Sequence, residues 1–185
     1  YDAQTIYRSG FTVYTTLDPQ LQDEAQRIVT EQVAALAPNN AHNGALVAMK
    51  PSTGEILAMV SLPSYDNNLF SRGISATDYQ ALLDNKDKPL INHAVQAHYA
   101  PGSTYKLVTG TGGLADKKIT PSTKVTTKGY LTLGSTKFYE WNRRGWGACN
   151  IYCGFGHSSD TFFYQVAGRL GIDRLAYWAH QWGFG

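Results

Sequence analysis

Apolar residues recur at helical spacing through Leu21, Ala25, Ile28 and Leu36, with Gln32 the polar exception on that face. The spacing predicts an amphipathic helix. Asp18 stands where a side-chain cap belongs, Pro19 takes the first helical position, and Pro38-Asn39-Asn40 ends the run. Just upstream, alternation over residues 12–16 predicts a strand. Two short apolar runs, 44–50 and 55–61, flank Pro51-Ser52-Thr53-Gly54 and predict an antiparallel hairpin. Residues 63–88 are polar and broken by Asn, Asp and Gly, with a short helix expected near 77–83 and a second near 90–96.

Pro101-Gly102 leads into Ser103, and Tyr105, Leu107, Val108 and Leu114 suit a buried helix beyond it. Gly110, Gly112 and Gly113 weaken that helix in isolation and point to close packing against a neighbour. Residues 125–133 and 136–141 read as β-segments around Gly134-Ser135, and 161–170 and 172–182 as helices joined through Gly171 as a C-cap. The layout is α+β, and the N-terminal hairpin needs further strands, expected downstream, to complete a sheet.

Composition narrows the function. Of 185 residues, 43% are hydrophobic and 16% charged, which suits a packed globular chain. A net charge of +2, with dispersed basic residues, gives no argument for nucleic acid, and Arg143-Arg144 reads as a solvated loop pair. No apolar run approaches the roughly 18–20 residues of a membrane-spanning helix. With no initiator Met and a pattern that opens and closes abruptly, the chain reads as an excerpt of a longer protein.

Candidate chemistry centres on Ser103-Thr104-Tyr105-Lys106. On a helix, positions three apart share a face, so the Lys amine reaches the Ser hydroxyl. A Ser hydroxyl needs a base to become a nucleophile, and a Lys serves if desolvation or nearby positive charge favours its neutral form. Tyr105, Leu107 and Val108 supply apolar surroundings. A helix start at Ser103 also offers a free backbone N–H to an oxyanion. With eleven Ser and nine Lys in the chain, roughly half a match to this spacing arises by chance, so the motif alone is weak. Ser158 and Asp160 precede an apolar helix, where an N-cap role is the simpler reading.

Taken in order, these residues resemble the penicillin-binding proteins. Ala100-Pro101-Gly102-Ser103-Thr104-Tyr105-Lys106 is similar to their active-site block. Val13 through Asp18 with Leu21-Gln22 resembles the opening of their transpeptidase domain, and the stretches 44–49 and 54–61 resemble its first hairpin. Pro63 through Phe70, Ser158 through Gln165, and Gly171 through Leu175 resemble the class B, elongation-type members, penicillin-binding protein 2. Ordered matches over most of 185 residues are far more specific than one motif.

The resemblance implies residues 1–185 as the N-terminal portion of one transpeptidase domain of penicillin-binding/β-lactamase-like fold. It implies a serine-type D,D-transpeptidase that cross-links peptidoglycan stem peptides through an acyl-enzyme on Ser103, is trapped by penicillins and needs no cofactor. Lys106 would be the general base, Ser158 a proton relay to the leaving group, and Asp160, at a position that is often Asn, a holder of Lys106 and the substrate amide. An ionised Asp160 favours the charged amine, which opposes the base role. The implied setting is the bacterial cell envelope, on the extracytoplasmic face of the inner membrane, with an upstream membrane anchor and a membrane glycosyltransferase of the elongation machinery as partner.

Two features depart from the pattern. No Lys-Thr-Gly or Lys-Ser-Gly occurs; the resemblance puts that third motif, with its substrate contacts, beyond Gly185, and the fragment alone would lack full activity. Residues 147–157 replace the Leu-containing helical stretch of relatives with a Gly-rich one, where Cys149, Cys153 and His157 are spaced by four. On a helix these three share a face and form a candidate zinc set without an evident fourth ligand; unpaired or disulfide-bonded cysteines are the favoured reading. His42, His93, His98 and His180 show no metal spacing, and the four Trp suit a core. A serine β-lactamase or β-lactam sensor shares the Ser-x-x-Lys motif and fold, and a non-catalytic scaffold of the same fold is the third reading.

Overall fold

A computed structural model describes residues 2–71 and 73–185, and the chain divides after His98 into two units, each with its own core. The first unit opens with α1 (Ala3–Arg8), capped by Asp2, whose carboxylate accepts from Thr5 N–H at 2.8 Å. The predicted amphipathic helix is α2 (Pro19–Leu36), and Asp18 caps it by accepting from the N–H groups of Gln20 and Leu21 at 3.0 and 3.1 Å. The predicted hairpin forms from β1 (Gly44–Lys50) and β2 (Glu55–Leu62), with a register shift between Ala48 and Met49. Gly54, at φ +77°, closes the turn by donating to Lys50 O at 2.8 Å.

Ala58 and Val60, two apart on β2, meet Ala25 in a small core that Val29, Leu46, Ala48 and Leu62 surround. The Gln22 side chain pins α2 to β2 by two bonds to Met59, donating to its O at 3.0 Å and accepting from its N–H at 2.8 Å. The Gln22 amide thereby pairs backbone groups of Met59 that would otherwise be left without a partner.

Two expectations in this unit are corrected. Residues 12–16 form no strand; Thr16 Oγ1, donating to Ile56 O, and Asp18 N–H, donating to Leu57 O, tie the segment to β2 without a ladder. Residues 90–96 turn rather than form a helix. Asn92 Oδ1 accepts from Ala94 N–H at 3.0 Å, a local side-chain bond that competes with helical pairing. The helix expected at 77–83 is α3 (Ala76–Asp84), capped by Ser75.

In the second unit, a 3-10 turn (Gly102–Tyr105) runs into α4 (Lys106–Ala115). The expected β-segment over 125–133 is two strands in separate two-stranded sheets. β3 (Val125–Thr127) pairs antiparallel with β6 (Gly147–Cys149), and β4 (Tyr130–Leu133) forms a hairpin with β5 (Thr136–Tyr139). The break falls at Gly129, where the Arg143 backbone comes so close that a Cβ would lie 2.3 Å from Arg143 O.

Three helices follow: α5 (Ile151–Gly156), α6 (Asp160–Leu170) and α7 (Ile172–Gln181). Helix α5 forms despite its glycines because Asn150 caps it and Gly154 packs flat against Phe162, where a Cβ would lie 2.6 Å from Cδ1. The glycines of α4 serve the close packing that the sequence suggests: a Cβ on Gly113 would lie 2.6 Å from Val166 Cγ1 on α6. Phe162, Phe163 and Val166 of α6 join Ile119, Val125, Cys149 and Ile151 in the core. Each large side chain buried here contributes about 1.5–3 kcal/mol.

The zinc candidates do not form a ligand set. Cys149 and Cys153 are disulfide-bonded to each other, so neither offers a thiolate. Cys149 lies on β6 rather than on a helix, and the His157 ring stacks on Trp146 with centroids 3.9 Å apart. Among the described residues no helix is long and apolar enough to cross a membrane.

Candidate active site

All four residues singled out in the sequence belong to the second unit, and the fold brings them together. Ser103 sits exposed in the 3-10 turn, where the leading backbone N–H groups have no intrahelical partner. Lys106 opens α4 as the turn winds directly into the helix. Ser158 lies between α5 and α6 with φ +48°, a left-handed conformation that non-glycine residues seldom adopt. Asp160 is the first residue of α6.

Lys106 Nζ donates to Ser158 O at 2.6 Å, to Ser158 Oγ at 3.0 Å and to Asp160 Oδ1 at 2.6 Å. Three acceptors match the three N–H bonds of an ammonium. The Ser158 hydroxyl in turn donates to Ser103 Oγ at 3.0 Å. Hydroxyl–hydroxyl–amine contacts at these distances make a continuous path for one proton between Ser103 and Lys106.

Neither Ser158 nor Asp160 caps α6. The cap is Ser159, whose hydroxyl accepts from Phe162 N–H at 3.3 Å, so the simpler N-cap reading belongs to the residue between them. Its neighbours are thereby freed to face Lys106. Of the apolar residues expected around Lys106, Val108 is buried and Tyr105 half-buried, but Leu107 is 48% exposed. Phe163 of α6 supplies an apolar wall instead, with Nζ 5.9 Å from its ring centroid. Ser103, Lys106, Thr109, Asp160, Phe163 and Tyr164 line a cavity of about 450 Å³. Burial, with the Asp160 and Glu140 carboxylates nearby, pushes the Tyr164 hydroxyl above its ordinary value.

The sequence reading missed Glu140. This fully buried carboxylate accepts from Ser159 Oγ (2.8 Å), Asp160 N–H (3.0 Å), Thr161 N–H (3.0 Å) and Thr161 Oγ1 (2.8 Å). Burial alone would raise its pKa, but the donors from Thr161, Ser159 and Asp160 outweigh that and hold it below its ordinary value. A lone Glu twenty residues before the helix carries no periodic signal, so only the tertiary approach reveals it.

A Ser and a Lys one turn apart, joined through a second Ser on a facing helix entrance within an α+β fold, are an arrangement whose chemistry suits serine acyl transfer. The chain belongs to the penicillin-binding protein transpeptidase-domain family, whose model matches residues 44–185. It is 41% identical over 179 residues to the peptidoglycan D,D-transpeptidase MrdA of Haemophilus influenzae, covering 96% of this chain and 26% of that protein. It is 35% identical to the peptidoglycan D,D-transpeptidase PbpA of Mycobacterium tuberculosis, covering 94% of this chain and 36% of that protein. A crystal structure of Pseudomonas aeruginosa PBP2 in complex with WCK 5153 superposes with a TM-score of 0.79 at 41% identity, over 92% of this chain and 35% of that one. PBP2 of Helicobacter pylori, in a complex with MreC, gives 0.81 at 32% identity, over 91% and 30%. These matches agree with the resemblance to the elongation-type branch. The chain spans about a quarter of the length of the MrdA proteins it matches.

Proposed function

We propose that this chain supplies the nucleophile, base and relay of a peptidoglycan D,D-transpeptidase. The observation that carries the reading is the unbroken contact chain Ser103 Oγ, Ser158 Oγ, Lys106 Nζ, with 3.0 Å at each step. Once Lys106 has given up one proton of its ammonium to solvent, Ser103 Oγ attacks the carbonyl of a D-Ala–D-Ala stem peptide, and the Ser103 proton passes through Ser158 to the Lys106 amine. The C–N bond breaks, the same path returns a proton to the departing D-Ala amine, and an ester to Ser103 remains. An amine of a second peptidoglycan strand attacks the ester, forms the new amide and regenerates the Ser103 hydroxyl. Asp160 holds Lys106 in position. The chemistry requires no cofactor, and penicillins enter as mimics of the donor peptide.

Names of relatives support the wider setting: they are peptidoglycan D,D-transpeptidases, and one PBP2 forms a complex with MreC. The proposed location is the bacterial cell envelope, on the extracytoplasmic face of the inner membrane, with an anchor elsewhere in the protein. Stem peptides are the substrates and a membrane glycosyltransferase of the elongation machinery the partner. The test is penicillin labelling of the full-length protein followed by peptide mass spectrometry. A long-lived adduct on Ser103, lost in Ser103→Ala, is the expected result. Rapid hydrolysis of the penicillin would instead make the chain part of a β-lactamase, and labelling and cell-wall function that survive Ser103→Ala would make it a scaffold.

A further inference from the structure

We infer that the adjacent residues Glu140 and Trp141 form a positioning clamp that holds Ser158 and Asp160 in register with Ser103 and Lys106. The inference rests on the transpeptidase reading and adds two residues to it.

Ser158 needs holding. Its φ of +48° is unfavourable for a residue with a Cβ, and such a conformation persists only where surrounding contacts over-determine it. Backbone bonds from Ser158 N–H to Phe155 O at 3.1 Å and from Ser159 N–H to Gly154 O at 2.8 Å hold it from its own helix end, and one dipeptide adds contacts on both sides of it. On the N-terminal side, the Trp141 indole N–H donates to His157 O at 2.9 Å. On the C-terminal side, the Glu140 carboxylate takes four bonds from Ser159, Asp160 and Thr161. The Glu140 side chain, from the residue after β5, meets the first turn of α6, where orphan N–H groups and the helix dipole favour a negative charge. The dipeptide is itself anchored, since Glu140 N–H donates to Gly129 O at 2.9 Å and its carbonyl accepts from Arg143 N–H at 3.1 Å. Thr161 Oγ1, whose one hydrogen goes to Glu140 at 2.8 Å, also lies 3.2 Å from Lys128 O in the β3–β4 connection.

Neither side chain touches Ser103 or Lys106 by a hydrogen bond that the structure contains. Their effect runs through the segment 157–161: shift it, and the 3.0 Å step from Ser158 Oγ to Ser103 Oγ and the 2.6 Å step from Lys106 Nζ to Asp160 both open. Displacement of a catalytic group by about 1 Å can cost on the order of 100-fold in rate.

The experiment measures the second-order rate constant of acylation by a fluorescent penicillin in the full-length protein, normalised to the fraction of sites that finally label. In Glu140→Gln one amide face presents N–H groups to donors, and the normalised rate is expected to fall by about 10- to 100-fold. Trp141→Phe keeps an aromatic ring at a residue that is 61% exposed and removes the indole N–H together with its five-membered ring. Its expected loss is about 2- to 10-fold, the size of one hydrogen bond. In a Ser158→Ala background both effects should shrink towards nothing, because the group being positioned is gone. A merely structural role would lower the labelled fraction and leave the normalised rate and this coupling unmoved. If Glu140→Gln does not fold, Trp141→Phe and Thr161→Val, which is close to isosteric, carry the test. Normal rates in the folded variants, or full losses that persist without Ser158, overturn the clamp while wild-type labelling leaves the transpeptidase reading standing. A wild type that takes up no label overturns both.

Discussion

Lys106 Nζ lies 2.6 Å from Asp160 Oδ1, with both side chains mostly shielded from water, and the same ammonium group reaches Ser158 through both its carbonyl and its hydroxyl. The carboxylate therefore fixes where the amine sits relative to the relay. Asp160→Asn keeps an oxygen acceptor of the same reach, so acylation by a labelled penicillin is expected to stay within about 10-fold of wild type. Asp160→Ala removes the acceptor and should cost about 10- to 100-fold, the range for a hydrogen bond to a charged group.

Replacing Lys106 itself tests the base. In Lys106→Ala the path from Ser103 ends at Ser158, with no amine to receive the proton. The acylation rate is expected to drop by about 100- to 10,000-fold. Circular dichroism and thermal melts should show a folded protein, because Lys106 lies at the cavity wall and outside the apolar core.

Gly154→Ala is expected to destabilise the fold even though Ala is the better helix former. The added methyl group would meet the fully buried Phe162 ring at 2.6 Å, and overpacking of this kind costs about 1–3 kcal/mol. Urea unfolding should show a lower midpoint. Gly156→Ala, three-dimensionally open at the same helix's end, should not, since nothing lies within 4 Å of a Cβ there.

Glu140 ties stability to pH. Its carboxyl is held below the ordinary value of 4.5 by the Thr161, Ser159 and Asp160 donors, despite its burial. A group depressed in the folded state contributes stability that is complete above 4.5 and lost as pH falls through its folded value. The urea-midpoint difference between wild type and Glu140→Gln is expected to be constant at neutral pH and to close in acid. A difference that widens on acidification would contradict this linkage.

The disulfide between Cys149 and Cys153 joins the end of β6 to the middle of α5. Because the bridged loop is short, chain-entropy arguments give it only about 2 kcal/mol. Reduction, or the double replacement Cys149→Ala with Cys153→Ala, should lower the melting temperature by a few degrees without abolishing folding. Metal analysis of the purified protein should find no stoichiometric zinc on these residues.

Local chemistry was readable from the chain because local physics decides it. The Asp18 cap with Pro19, the Pro51–Gly54 turn, and the Gly171 break between α6 and α7 all act within four or five residues. The Ser103–Lys106 spacing likewise places two side chains on one turn whatever surrounds them. The glycines of α4 announced close packing, since no other residue type tolerates it. Where local signals competed, tertiary contacts chose: residues 12–16 never gained a partner strand, and the Asn92 side chain took the N–H that a helix would have used.

What pattern could not determine was how Ser158 and Asp160 divide their work with Ser159. All three can cap a helix, and only the buried Glu140 beneath them makes Ser159 the cap and turns the other two towards Lys106. The cysteines and His157 share a four-residue spacing in the sequence, but the β6-to-α5 junction that separates Cys149 from the helix is set by pairing with Val125, twenty-four residues away. The sequence alone therefore determined that Ser103 and Lys106 stand one turn apart, because that spacing is local. The tertiary structure decided the route between them, because Ser158 reaches Ser103 across fifty-five residues of chain, and only packing can fix a contact that distant.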